Sequence, residues 1–282
     1  MWLASYPKSG NTWLRALLTT YFYSNEGNFD FSLLPKIGQF PQKNFFKSYK
    51  KDFTNIPDTA EFWIKAQEEI NSDKKFRLFK THNAYLNVND FRFTNSKNTS
   101  GCIYIIRDPR NIVTSLKNHY EHTYDEALEF MTNDKGLLYE KIDERYVNFQ
   151  FLSSWSNHYN SWLSTNEFPV KVIKYEDLEI NPMKVMKEVV TFINKVGSLN
   201  KTFDEKKALK CIETSSFEKL KKLENDFGFK EAPIGQKTKK KITFFNLGNK
   251  NKWEIILSKE FSLKINQVFK NDLERWSYKL ND

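Results

Sequence analysis

Four short apolar runs, residues 1–6, 76–80, 102–107 and 170–175, constrain this chain most. Each is rich in β-branched or aromatic residues, and none alternates apolar with polar positions. A strand with one wet face needs that alternation. A strand without it is covered on both faces, as in a parallel sheet between two layers of helices. Helical patterns fall between the runs. Leu14, Leu17, Leu18 and Tyr21 form one apolar stripe; Ile112, Leu116 and Tyr120 a second; Met183, Met186, Val190 and Ile193 a third. Asp108-Pro109 and Asn181-Pro182 each place a capping side chain before a proline, a good helix start. Strands alternating with helices predict an α/β fold of three layers, a central parallel sheet flanked by helices. No linker or repeat interrupts residues 1–282, so one domain is expected. Residues 36–75 and 120–165 read as insertions suited to an acceptor pocket or lid. Residues 254–280 read as one more amphipathic helix.

The first run ends in SYPKSGNTW. There a strand meets a tight turn and a helix begins. The first N–H groups of that helix lack partners and sit at its positive end. Gly10 permits close backbone approach to a ligand. Lys8 adds a point charge, and Ser9, Asn11 and Thr12 add donors. Together they form a cradle suited to a phosphate. The Walker pattern places its Lys after the second Gly, whereas Lys8 precedes the single Gly of this stretch. That disfavours an ordinary ATPase or GTPase.

Two further strand exits carry chemistry. CIYIIRDPRNIVTS delivers Arg107 at the end of a buried strand, and Ser115 lies two turns into the next helix. Ligands of open parallel sheets bind beyond the C-terminal ends of the strands, so Arg107 is placed to fork onto a second phosphate. FRLFKTHNAYL delivers Lys80, with His82 in the following loop. A histidine there is a candidate general base.

Composition agrees with a soluble protein that meets anions. The formal charge is +9, from 44 basic and 35 acidic residues. No apolar run approaches the roughly 20 residues a membrane span needs. No secretory leader pattern is visible. Cys102 and Cys211 stand far apart in apolar contexts and read as free thiols, which suits a reducing cytoplasm. His119 and His122 have a metal-compatible spacing but no third ligand beside them, so no metal is expected.

Taken together and in order, these segments resemble the sulfotransferases that use 3′-phosphoadenosine 5′-phosphosulfate, PAPS. SYPKSGNTW is similar to that family's 5′-phosphosulfate loop. Arg107 and Ser115 match its 3′-phosphate motif, and Lys80-Thr81-His82 its K-[TS]-H segment. VIKYEDL and SSFEKLKK resemble two further family segments. The resemblance is collinear from Ser5 to about Trp253. It implies a P-loop-like fold, PAPS as donor, PAP (adenosine 3′,5′-bisphosphate) as product and no metal. It also implies roles. Lys8 would meet the leaving oxygen, and Ser9, Gly10, Asn11 and Thr12 the 5′-phosphate. Trp13 would stack near the adenine. Arg107 and Ser115 would hold the 3′-phosphate. Tyr175, Ser215, Phe217 and Gly248 would contact the nucleotide. Lys80 would stabilise the transferring sulfuryl group, and His82 would deprotonate the acceptor. That acceptor would be a small-molecule or glycan-like hydroxyl or amine, with no nucleic-acid partner.

Two segments depart from the family pattern. Its closing F-x-R-K-G-x-x-G-D-W-K appears here as FFNLGNKNKWE, with Asn246-Leu247 for Arg-Lys and Asn251-Lys252 for Gly-Asp. Lys250, Lys252 or the run Lys237 to Lys241 are candidate replacements for the lost cation. After His82 the family's Leu-Pro is replaced by Asn83-Ala84, so the acceptor does not carry over. The alternatives are a homologue that binds PAP without turnover, a kinase-like phosphoryl transferase, and a basic nucleic-acid-binding protein.

Overall fold

The computed structural model describes residues 1–49, 53–142, 145–235 and 237–280. Its strands are β1 (Trp2–Ser5), β2 (Phe79–Thr81), β3 (Asn87–Val88), β4 (Phe91–Arg92), β5 (Cys102–Ile106), β6 (Leu137–Ile142), β7 (Arg145–Phe151) and β8 (Val170–Lys174). Its α-helices are α1 (Asn11–Tyr23), α2 (Trp63–Asn71), α3 (Pro109–Tyr120), α4 (Tyr124–Thr132), α5 (Trp155–Leu163) and α6 (Tyr175–Ile180). They continue with α7 (Pro182–Val196), α8 (Glu205–Thr214), α9 (Phe217–Phe227), α10 (Trp253–Ile256), α11 (Lys259–Val268) and α12 (Lys270–Arg275).

The four runs without alternation are the four strands of the central sheet, in the order β2-β1-β5-β8, all parallel. Their lack of alternation has a direct cause. Trp2, Ala4, Tyr104 and Ile106 face one core, with α3, α4 and α5 over it. Leu3, Ile103, Ile105 and Ile173 face a second core under α1, α7 and α8. Burying each large apolar side chain contributes roughly 1.5–3 kcal/mol, so both faces reward apolar residues. Three layers result, and the chain's chemistry is left to the strand ends.

Both expected helix starts form. Asp108 accepts from the Arg110 N–H, and Asn181 from the Lys184 N–H. The insertions are built of short pieces. Residues 31–62 hold three 3-10 turns ahead of α2, and residues 120–165 hold α4, the antiparallel pair β6–β7 and α5.

The tail departs from the expected single helix and divides into α10, α11 and α12. Leu257 is extended, and Ser258 then caps α11 by accepting from the Phe261 N–H. At the next break Phe269 turns into the core, its ring 5.2 Å from Trp155. The segment beyond α12 closes on the strand ends. Lys174 Nζ donates to the Trp276 carbonyl, and Tyr278 Oη to Glu176 at 3.0 Å. Arg110 Nη1 donates to the Lys279 carbonyl at 2.8 Å.

Arg110 is the centre of this clasp. It is buried, pairs with Asp108 at 2.8 Å, donates to Asn266 and lies 3.9 Å above the Trp253 ring. Arg110→Met strands the buried Asp108 carboxylate. It should cost about 3–5 kcal/mol in urea unfolding, and a loss under about 1 kcal/mol would contradict this account.

Candidate active site

Beyond the C-terminal ends of β1, β2, β5 and β8 lies a cleft of about 1620 Å³. Every residue given a catalytic or nucleotide-binding role from the sequence lines it except Ser9 and Ser215. The hydroxyls of those two are buried without a hydrogen-bond partner.

The loop after β1 is held from three sides. Lys8 has a φ of +67° and Gly10 one of +93°. A methyl group on Gly10 would run into the Tyr175 ring, so the strained backbone and the ring fit each other. Arg107 Nη1 donates to the Lys8 carbonyl at 3.0 Å, and its guanidinium lies 4.0 Å over Tyr175. Its Nε is buried and unpartnered. The Asn11 amide donates to the Leu3 carbonyl and to Ser5 Oγ of β1, so it braces the loop. Trp13 stands edge-on to Tyr175 and donates to the Ser215 carbonyl. Gly248 presses on the Phe217 ring. Unpartnered Ser9, Ser215 and Arg107 donors around a loop with exposed helix N–H groups fit a polyanion.

His82 has a defined tautomer. Its Nδ1 lies 2.7 Å from the Ser5 carbonyl, which only accepts, so Nδ1 carries the proton and Nε2 keeps its lone pair. The His82 backbone N–H donates to Gln150. Burial, and then the Lys80 charge, push the imidazole well below its usual range, so it stays neutral. Lys8 is pulled down to about 7 by burial and by the charges of Arg107 and Lys80.

Three contributors had roles that were not legible from the sequence. His119 Nδ1 receives Lys8 Nζ at 3.2 Å, and burial beside Lys8 pushes its pKa down to about 2. His122 lies past the end of α3, off the helical spacing expected of the pair. Among the described residues no group of three His, Cys, Asp or Glu side chains could hold a metal. Glu231 pairs with Arg15 and with Lys80. Asn251 donates to Ser115 Oγ at 3.0 Å and to the Asn111 carbonyl, and accepts from Thr114. Ser115 accepts there, which leaves its own O–H to donate.

None of Lys237, Lys239, Lys240, Lys241, Lys250 or Lys252 lines the cleft. Lys237 instead pairs with Glu126 and donates to the Glu121 carbonyl. The cation beside the altered segment is Lys221, whose Nζ donates to the Asn246 carbonyl at 2.8 Å.

Residues 1–277 match the sulfotransferase domain, and the chain belongs to that family. Its relatives include cytosolic sulfotransferase 16 of Arabidopsis thaliana, 26% identical over 270 residues that cover 93% of this chain and 72% of the relative. The luciferin sulfotransferase of Photinus pyralis is 23% identical, over 98% of this chain and 72% of its own. The flavonol 3-sulfotransferase of Flaveria bidentis is 25% identical, over 97% and 81%. In three dimensions the fold matches a mouse sulfotransferase complexed with PAP, with a TM-score of 0.55 at 16% identity, over 97% of this chain and 83% of that one. No described helix is long and apolar enough to cross a membrane.

Gly10→Ala should destabilise the fold by about 1–3 kcal/mol through its positive φ alone, with the clash against Tyr175 added. Adding Tyr175→Ala should return the steric part. In urea unfolding, a double mutant no better than the sum of its singles would show that the two residues do not meet.

Proposed function

We propose that this chain is a PAPS-dependent sulfotransferase acting on a hydroxyl or amine of a small-molecule or glycan-like acceptor. One observation carries the reading. Lys8, Lys80 and Arg107 converge with the unprotonated Nε2 side of His82 at the ends of three adjacent parallel strands. The relatives named for luciferin and flavonol support a small, ring-bearing acceptor. Phe45, Phe79, Tyr120 and Tyr139 give the cleft an aromatic side to receive one.

When bound, PAPS supplies the sulfuryl group. His82 takes the acceptor proton on Nε2, held in line by the Ser5 carbonyl. Lys80 faces the equatorial charge that develops during transfer. Lys8 offsets the charge on the leaving oxygen. Arg107 and Ser115 offer their spare donors to the 3′-phosphate, and the helix start at Gly10 to Thr12 faces the 5′-phosphate. Such chemistry is catalysed mainly by positioning and fixed charge.

Three outcomes test the reading. In calorimetry, Lys8→Ala and Arg107→Ala should each weaken PAP binding at least tenfold, while ATP with Mg²⁺ and single-stranded DNA give no comparable heat. His82→Ala should keep PAP affinity within threefold yet lose transfer from labelled PAPS to a phenolic or hydroxylated acceptor panel by about 10²–10⁴. Transfer that survives would remove His82 from the base role. PAP binding without transfer by the unaltered chain would favour the non-catalytic homologue, which the Asn246-Leu247 change motivates.

The pH dependence has a stated sign. Lys8 at about 7 is partly neutral above that pH in the free chain. An anion beside it favours the charged form, so binding should take up a proton above neutrality and none at about pH 6. Calorimetry in buffers of different ionisation enthalpy reads this directly. His82 is depressed, so kcat should not fall as pH drops through about 6.5, where a free imidazole would protonate.

A further inference from the structure

Among the described residues, Glu231 is the carboxylate paired with Lys80. Glu231 sits on the segment between α9 and α10, with its side chain 36% exposed, and it lines the cleft. One oxygen pairs with Arg15 and the other lies 3.5 Å from Lys80 Nζ. Arg15 comes up from α1, buried, and its Nε has no partner. Lys80 is buried as well. Around Lys80 the other titratable or charged groups are Lys8 and His82 from two loops, Arg15 from α1 and His119 from α3. Glu231 is the negative charge that pairs with Lys80, while Glu224 acts on Lys8 instead. Burial would raise its carboxyl, yet Lys80 and Arg15 hold it down at about 2, so it is ionised across the working range.

We propose that Glu231 is a positioning residue for the transfer step: anchored by Arg15, its carboxylate holds the Lys80 ammonium charged and aimed beside His82. The inference rests on the sulfotransferase reading for the word transfer, and on geometry alone for the pairing. Without Glu231, Lys80 stands in a buried site facing only like charges, which favours its neutral form. Neutral Lys80 has nothing to offer a sulfuryl group that gains charge in transfer. Nucleotide binding rests on Lys8, Arg107 and Ser115, so it should be spared.

The test is Glu231→Gln, which keeps the shape and removes the charge, with Glu231→Asp as the conservative variant. Lysine labelled with ¹³C at Cε gives the Lys80 signal, assigned by its absence from Lys80→Arg. Its titration midpoint should fall by at least one pH unit in Glu231→Gln and recover in part in Glu231→Asp. The alkaline limb of kcat should move down with it, while PAP affinity at about pH 6 changes less than threefold. An unmoved Lys80 midpoint overturns the inference, as does a kcat loss that is equal at every pH. If the midpoint falls but the unaltered chain transfers no sulfuryl group to any acceptor, the pairing stands and the enzymatic reading fails.

Discussion

The site depends on what Arg107 does with its two faces. One edge of the guanidinium donates to the Lys8 carbonyl, and its plane lies on Tyr175. Those contacts tie the exits of β1, β5 and β8 into one wall. Lys8 is a non-glycine residue in a left-handed conformation, which costs about 1–3 kcal/mol unless the surroundings enforce it. The bond from Arg107 and the Tyr175 ring against Gly10 are that enforcement. A ligand anion then meets a loop already in shape and loses no affinity to ordering it.

The strand-end part of the cleft was legible because each part is local. A strand, a turn and a helix start occupy nine consecutive residues in SYPKSGNTW, and Arg107 likewise stands between a strand and a helix start; Lys80 needs only the end of its strand. The sheet was legible because two buried faces erase alternation. What could not be read depends on distant partners. Residues 254–280 keep a helical period throughout, and only the pull of the core on Phe269 and the Ser258 cap divide it. His119 looks like any polar residue near a helix end until Lys8 folds over it. Glu231 lies in a stretch with no motif, 216 residues from Arg15. The Asn251 network reads as the loss of a family pattern, while in space it fastens the altered segment to α3.

The cleft divides by the kind of residue that builds it. Rigid strand exits and helix starts supply one side. The other comes from the insertions, through Phe45, Leu138, Tyr139 and Gln150, and from the segment carrying Glu231. The first set is fixed by the sheet. The second set changes freely without disturbing the sheet, which is how one scaffold accommodates unlike acceptors.

The clasp formed by residues 276–279 has a consequence for the order of assembly. Lys174, Glu176 and Arg110 bracket the Arg107 exit, and each is fastened by the tail. Those contacts span up to 169 residues, so they form among the last on any folding route, after the local strand–turn–helix units. During synthesis the growing chain can collapse around its sheet well before the tail emerges. The wall at the Arg107 exit therefore matures late, and a nascent chain carries it unfinished.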